Sequence, residues 1–155
     1  MLHNLFAKKD LPITIPKSLQ EQIDTVARAR DKLEATKLAY DIITSKYRGH
    51  RVKTYLHLKK LLNTDIDKIW SQSGFYQCTT QNYLIRLLLV KSGKFTNKEV
   101  KQKFTLIWYI GPHQYLKIEI QENQYIYLDP WSKTYGVEFG QYAHGFKSGK
   151  ITKIK

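Results

Sequence analysis

Cys78-Thr79-Thr80-Gln81-Asn82-Tyr83-Leu84-Ile85-Arg86-Leu87-Leu88-Leu89-Val90 is the stretch on which the fold turns. Its first third is polar and the rest is apolar nearly all round, which suits a helix buried on every side better than one with a wet face. The loop-forming run Ser71-Gln72-Ser73-Gly74-Phe75-Tyr76-Gln77 precedes it, and Gly93 follows where a left-handed residue closes a helix. The reading is a central core helix with Cys78 at its N-terminus. A helix of this kind needs apolar faces from both flanks of the chain.

The upstream flank supplies helical ones. After the extended Leu11-Pro12-Ile13-Thr14-Ile15-Pro16, Ser18 and Glu21 form a capping-box pattern, and Ile23, Val26, Leu33, Tyr40 and Ile43 recur at helical spacing. This predicts one long amphipathic helix or a broken pair ending near Gly49. A second helix is expected over 53–62, and Thr64 with Asp67 signals a third that carries Ile66, Ile69 and Trp70. Downstream, Thr96 with Glu99 predicts a last turn of helix, followed by strands over 104–110, 114–120 and 124–128. No Gly/Ser/Pro linker and no repeat divides the halves. The expectation is a single α+β domain over 1–155, with an extended arm over 1–17, a mainly helical part over 18–103 and strands and loops over 104–155.

The apolar pattern sets the register of the last two strands. Leu116, Ile118 and Ile120 share a face of one strand, and Ile126 and Leu128 share a face of the next; burying both sets together pairs Ile118 with Ile126 and Leu116 with Leu128. Tyr115 then faces Asp129, and His113 becomes a diagonal neighbour of Asp129 at roughly 5.5 to 8 Å. The register implies a three-residue loop, Gln121-Glu122-Asn123, because a two-residue turn would send His113 and Asp129 to opposite faces.

Composition narrows the functional classes. One Cys excludes an internal disulfide framework, and the apolar runs are far shorter than the ~18 residues of a membrane-spanning helix. The N-terminal Met1-Leu2-His3-Asn4-Leu5-Phe6-Ala7-Lys8-Lys9-Asp10 lacks a secretory pattern, so a cytoplasmic location is expected. The formal charge is +13, yet 21 of the 26 cations are Lys and 5 are Arg. Point charges spread over a surface disfavour a dedicated nucleic-acid reader.

Thiol acyl transfer needs a thiolate at a helix N-terminus, an imidazole to share its proton, and a third group to orient the ring. Cys78, His113 and Asp129 fit these roles at intervals of 35 and 16 residues. Taken singly, each has an ordinary structural reading: a small buried hydrophobe, a strand-entry residue after Gly111-Pro112, and a strand-ending turn before Pro130. His144 is an alternative base. His3, His50 and His57 read as surface or packing residues.

The order of these motifs resembles the transglutaminase-like superfamily of papain-type cysteine enzymes. The matching residues run from Gly74 through the Cys78 helix to Gly93, along His113-Gln114-Tyr115-Leu116-Lys117-Ile118-Glu119-Ile120, and over Tyr125-Ile126-Tyr127-Leu128-Asp129-Pro130-Trp131. The family has a Gly-Ile-Pro-type turn after its core helix, where this chain has Ser92-Gly93-Lys94-Phe95. The resemblance implies a transglutaminase-like fold with Cys78 as nucleophile, His113 as base and Asp129 as orienter. Gln72, six residues before Cys78, is similar in spacing to the oxyanion-stabilising Gln of papain-like enzymes; Gln77, Trp70 and Tyr76 compete for that role. Trp70, Tyr76, Tyr115, Tyr127 and Trp131 are expected to wall the cleft. The implied substrate is a protein or peptide bearing a Gln or other amide, with no cofactor and no metal. Two other classes fit the same sequence: a catalytically inactive interaction module and a basic polyanion binder.

Overall fold

The computed structural model describes residues 8, 10–56, 63–107, 111–145 and 147–148. His3, His57, residues 57–62 of the expected second helix and residues 108–110 of the expected first strand lie outside them.

The long amphipathic segment is a broken pair. Helix α1 (Lys17–Ala27) buries Leu19, Ile23 and Val26, and α2 (Lys32–Lys46) buries Ala35, Ala39, Tyr40 and Ile43. The capping box expected at Ser18 does not form. The Pro16 carbonyl instead accepts from the Leu19 and Gln20 amides, and Ser18 lies inside the helix, where its hydroxyl accepts from the Trp70 indole at 3.1 Å. The cap appears at α2, where the Asp31 carboxylate accepts from the Glu34 amide and Glu34 accepts from the Arg30 amide.

Short α3 (Arg51–Leu56) and α4 (Ile66–Ser71) follow; Asp65, not Thr64, caps α4 by accepting from the Asp67 and Lys68 amides. The expected loop before Cys78 contains a strand, because β2 (Gly74–Phe75) pairs in parallel with β1 (Tyr47–Arg48). Core helix α5 (Cys78–Lys91) has buried side chains at every position from Thr79 to Leu89. Gly93 adopts φ 76° at its end, the left-handed conformation expected there.

Thr96 and Glu99 make a hydrogen-bonded turn and no helix, since the chain is already extended at Val100. Strand β3 (Val100–Ile107) therefore begins four residues before its expected start, then β4 (Gly111–Gln121) and β5 (Gln124–Leu128) complete an antiparallel sheet in the order β3-β4-β5. Strands β6 (Ala143–His144) and β7 (Lys147–Ser148) form a separate pair.

The β4–β5 register pairs Ile118 with Ile126 and Leu116 with Leu128. Its turn differs from the expected loop. Gln121 pairs with Gln124, so the turn has two residues, Glu122 and Asn123, with Asn123 in the left-handed region at φ 60°. The register shift between Glu119 and Gln121 leaves Ile120 as an extra residue in β4. That bulge offsets the shorter turn and keeps the buried face in phase.

Helix α5 lies between α1 and α2 on one side and the sheet on the other. Leu84, Ile85, Leu87 and Leu88 share a core with Ile23 and Ile43 from the helices and with Val100, Leu116, Ile118 and Leu128 from the sheet. The architecture is mixed α+β.

Candidate active site

Cys78 is the first residue of α5, following Gln77 in extended conformation at the N-cap. The N-terminal end of a helix carries partial positive charge and amides without intrahelical acceptors, both of which favour a thiolate. The residue remains partly exposed. Its sulfur hydrogen-bonds the His113 imidazole and accepts from the Gln114 backbone amide.

His113 belongs to β4 and is 3% exposed. Its Nε2 lies 2.8 Å from Asp129 Oδ2, which leaves Nδ1 as the ring nitrogen for the sulfur. Asp129, fully buried just beyond β5, has three donors. Oδ2 also accepts from the Ala143 amide at 3.0 Å, and Oδ1 accepts from the Ser132 amide at 3.1 Å. The structure thus brings together the three residues that the sequence singles out.

Burial and charge compete at each of them. Burial pushes the Cys78 thiol up, but the charge and hydrogen bond of His113, with the Gln114 amide, outweigh it and hold the thiol below its ordinary value. Burial alone would favour a neutral His113; the Asp129 and Cys78 charges and hydrogen bonds reverse this and raise it to about 10. Asp129 is likewise pushed up by burial, then held below its ordinary value by the charge and hydrogen bond of His113, the Ala143 amide and the Ser132 side chain. All three directions favour a thiolate beside an imidazolium.

Trp131 opens the 3-10 turn Trp131–Tyr135 and packs its ring 5.4 Å from the His113 ring, at 4% exposure, so it screens the imidazole from water. Gly49 makes that placement possible, because a Cβ there would come within 2.6 and 2.8 Å of Trp131 ring atoms and closer still to its carbonyl oxygen. Tyr115 and Tyr127 lie on the His113 face of the sheet and meet each other at 6.0 Å between centroids.

Trp70 and Tyr76, expected as cleft walls, are both buried against Tyr47. The Trp70 ring packs near Tyr47, under the Lys46 ammonium, and lines an open groove with Ser18 and Glu21. Tyr76 is buried edge-on against Tyr47. Its hydroxyl donates to Gln72 Oε1 at 2.9 Å. Gln72 itself is exposed, and none of its described hydrogen bonds reaches the triad. His144 is exposed and held by Thr105 at 2.6 Å, and His50 is exposed with Nδ1 accepting from the Lys53 amide. Among the described residues no three His, Cys, Asp or Glu side chains gather in the manner of a metal site.

Four groups escaped the sequence reading. Asn82, one turn along α5 from Cys78, donates to the Gln114 carbonyl at 2.8 Å and ties the Cys helix to the His strand; its signal was a polar residue at i+4 from the Cys on a buried helix. Ser132 places its hydroxyl 3.4 Å from His113 Nε2, and its amide caps Asp129; the signal was Asp followed by Pro at a helix start. Tyr142 stacks on Tyr115 at 4.0 Å, and Ala143 donates to Asp129. Nothing local in the sequence announces these last two. No family model matches the chain, and no curated protein or solved structure matches it significantly.

Proposed function

We propose that the chain is a cysteine-dependent acyl-transfer enzyme of transglutaminase-like, papain-related fold, acting on a peptide or protein amide. The observation that carries this reading is the buried His113–Asp129 pair, joined at 2.8 Å and acting on the Cys78 thiol at the N-terminus of a core helix. Proximity alone would fit a structural cluster. A carboxylate with three donors and a ring shielded by Trp131 fit a pair arranged for proton transfer.

This reading implies a two-step reaction. The Cys78 thiolate adds to the amide carbon, and the tetrahedral oxyanion lies near the Cys78 backbone N–H, with the Gln72 amide as the second candidate donor. Protonated His113 gives its proton to the leaving nitrogen as the C–N bond breaks, leaving a thioester and a neutral ring. Neutral His113 then takes a proton from water or an amine as that nucleophile attacks the thioester, and the thiolate departs. Water gives hydrolysis; an amine gives transamidation or cross-linking. Asp129 keeps the ring oriented throughout.

The test is the pH dependence of Cys78 alkylation by iodoacetamide in the wild type and in His113→Ala, with the fold checked by circular dichroism. Wild type is expected to react well below the ordinary thiol pKa of ~8.5, and the variant to return to it. A thiol that titrates ordinarily in both proteins overturns the reading and leaves a non-catalytic module of this fold.

A further inference from the structure

The two faces of the sheet differ in character. On β4 and β5, Leu116, Ile118, Ile126 and Leu128 face the helices, while His113, Tyr115, Lys117, Glu119, Tyr125 and Tyr127 lie on the opposite face. The β3 register adds Lys103 opposite Tyr115 and Lys101 opposite Lys117 to that second face. The candidate catalytic pair occupies one end. Beyond it Tyr115, Tyr127 and Tyr142 touch one another, Lys103 is registered opposite Tyr115, and then come two lysines over Tyr125: Lys117 Nζ lies 3.7 Å and Lys101 Nζ 5.4 Å from its ring centroid. Among the described residues of these three strands the one carboxylate is Glu119, 3.7 Å from Lys101. The face is therefore cationic at a fixed distance from the thiol.

We propose that this lysine end of the sheet docks an acidic segment of the protein substrate. The assignment rests on the acyl-transfer reading above. Four residues separate His113 from Lys117 along an extended strand, which is about 13 Å at ~3.3 Å per residue. An extended substrate chain running along the sheet thus presents its carboxylates to Lys103 about two residues, and to Lys101 and Lys117 about four residues, from the acyl group being transferred. Charge complementarity at such a distance steers encounter and sets which amide is chosen, without altering the chemistry at the sulfur.

An acidic peptide fits this face better than a nucleic acid does. Base stacking needs open ring faces, but Tyr115 and Tyr142 stack on each other with planes 7° apart and Tyr125 is covered by Lys117. The cations are all lysines, point charges without the planar fork that grips phosphates.

Fluorescence anisotropy with labelled hexaglutamate and labelled oligothymidylate tests the proposal on three proteins: wild type, the triple variant Lys101→Glu, Lys103→Glu, Lys117→Glu, and a control that reverses the exposed Lys17, Lys53 and Lys91 on other elements. Hexaglutamate is expected to bind wild type, to weaken at least about tenfold in the sheet variant, and to lose far less in the control. Equal losses in both variants, no peptide binding, or tighter oligothymidylate binding lost through the same lysines each overturn it. Iodoacetamide reactivity of Cys78 in the same samples separates the two readings. An activated thiol with lysine-independent peptide binding sinks the docking surface alone; an ordinary thiol with lysine-dependent binding sinks its assignment to a substrate.

Discussion

At the scale of single residues, the site depends on how the His113–Asp129 pair is held rather than on unusual residue types. A raised His pKa stabilises the fold fully below the unfolded imidazole value of ~6.5, and this contribution is lost as pH rises through about 10. A depressed Asp pKa stabilises above the unfolded carboxylate value of ~3.9 and is lost as pH falls through the folded one. Both contributions are complete only between about pH 4 and 6.5. The stability of wild type relative to His113→Gln, measured by urea unfolding across pH, is accordingly expected to peak in that window and shrink on either side. A difference independent of pH would mean that the ring is uncharged. The meeting of Cys78, His113 and Asp129 was legible because residue type, order and the hairpin register carry it. The contacts of Tyr142 and Ala143 were not, because a stacked ring or a backbone amide donor leaves no mark in residue type.

At the scale of elements, the β4–β5 hairpin shows how a correct register can hide a misread turn. Burial of Ile118 against Ile126 dictates the pairing, but it does not say whether the odd residue sits in the loop or in the strand. The chain puts it in the strand, at Ile120, whose side chain is 7% exposed and so gains core contacts that a loop position would deny it. Asn123 then bears the left-handed turn conformation. Asn123→Gly is expected to leave stability unchanged or slightly raised, and Asn123→Val to cost about 1–2 kcal/mol in urea unfolding, from the steric penalty of a β-branched residue at positive φ. The missed caps have a similar cause. Ser18 and Thr64 carry the right side chains for helix starts, but the helices begin where the Pro16 carbonyl and the Asp65 carboxylate reach the first amides. Local competition among neighbouring acceptors decides such ends within a residue or two.

At the scale of the whole molecule, α5 serves as both core and site, so the two cannot be separated energetically. Leu88 is fully buried on α5, in the core cluster that also holds Ile43 of α2 and Leu116 of β4. Leu88→Ala is expected to cost about 2–5 kcal/mol, and the enhanced reactivity of Cys78 should vanish at the same urea concentration as the helical circular dichroism signal. Loss of the activated thiol well before the helix signal would show that the site opens independently of the core. The sequence by itself determined the α+β class, the buried helix with Cys at its head, the phase of the hairpin and hence the shared face of His113 and Asp129. These follow from periodicity and residue type, which are local. Only the tertiary structure decided that Trp131 closes over the imidazole against Gly49, that Asn82 links the helix to the strand, that Trp70 lies in the helical packing, and that Lys101 and Lys117 meet over Tyr125. Each of these is a meeting of residues distant in the chain, fixed by how elements pack and not by any pattern within one of them.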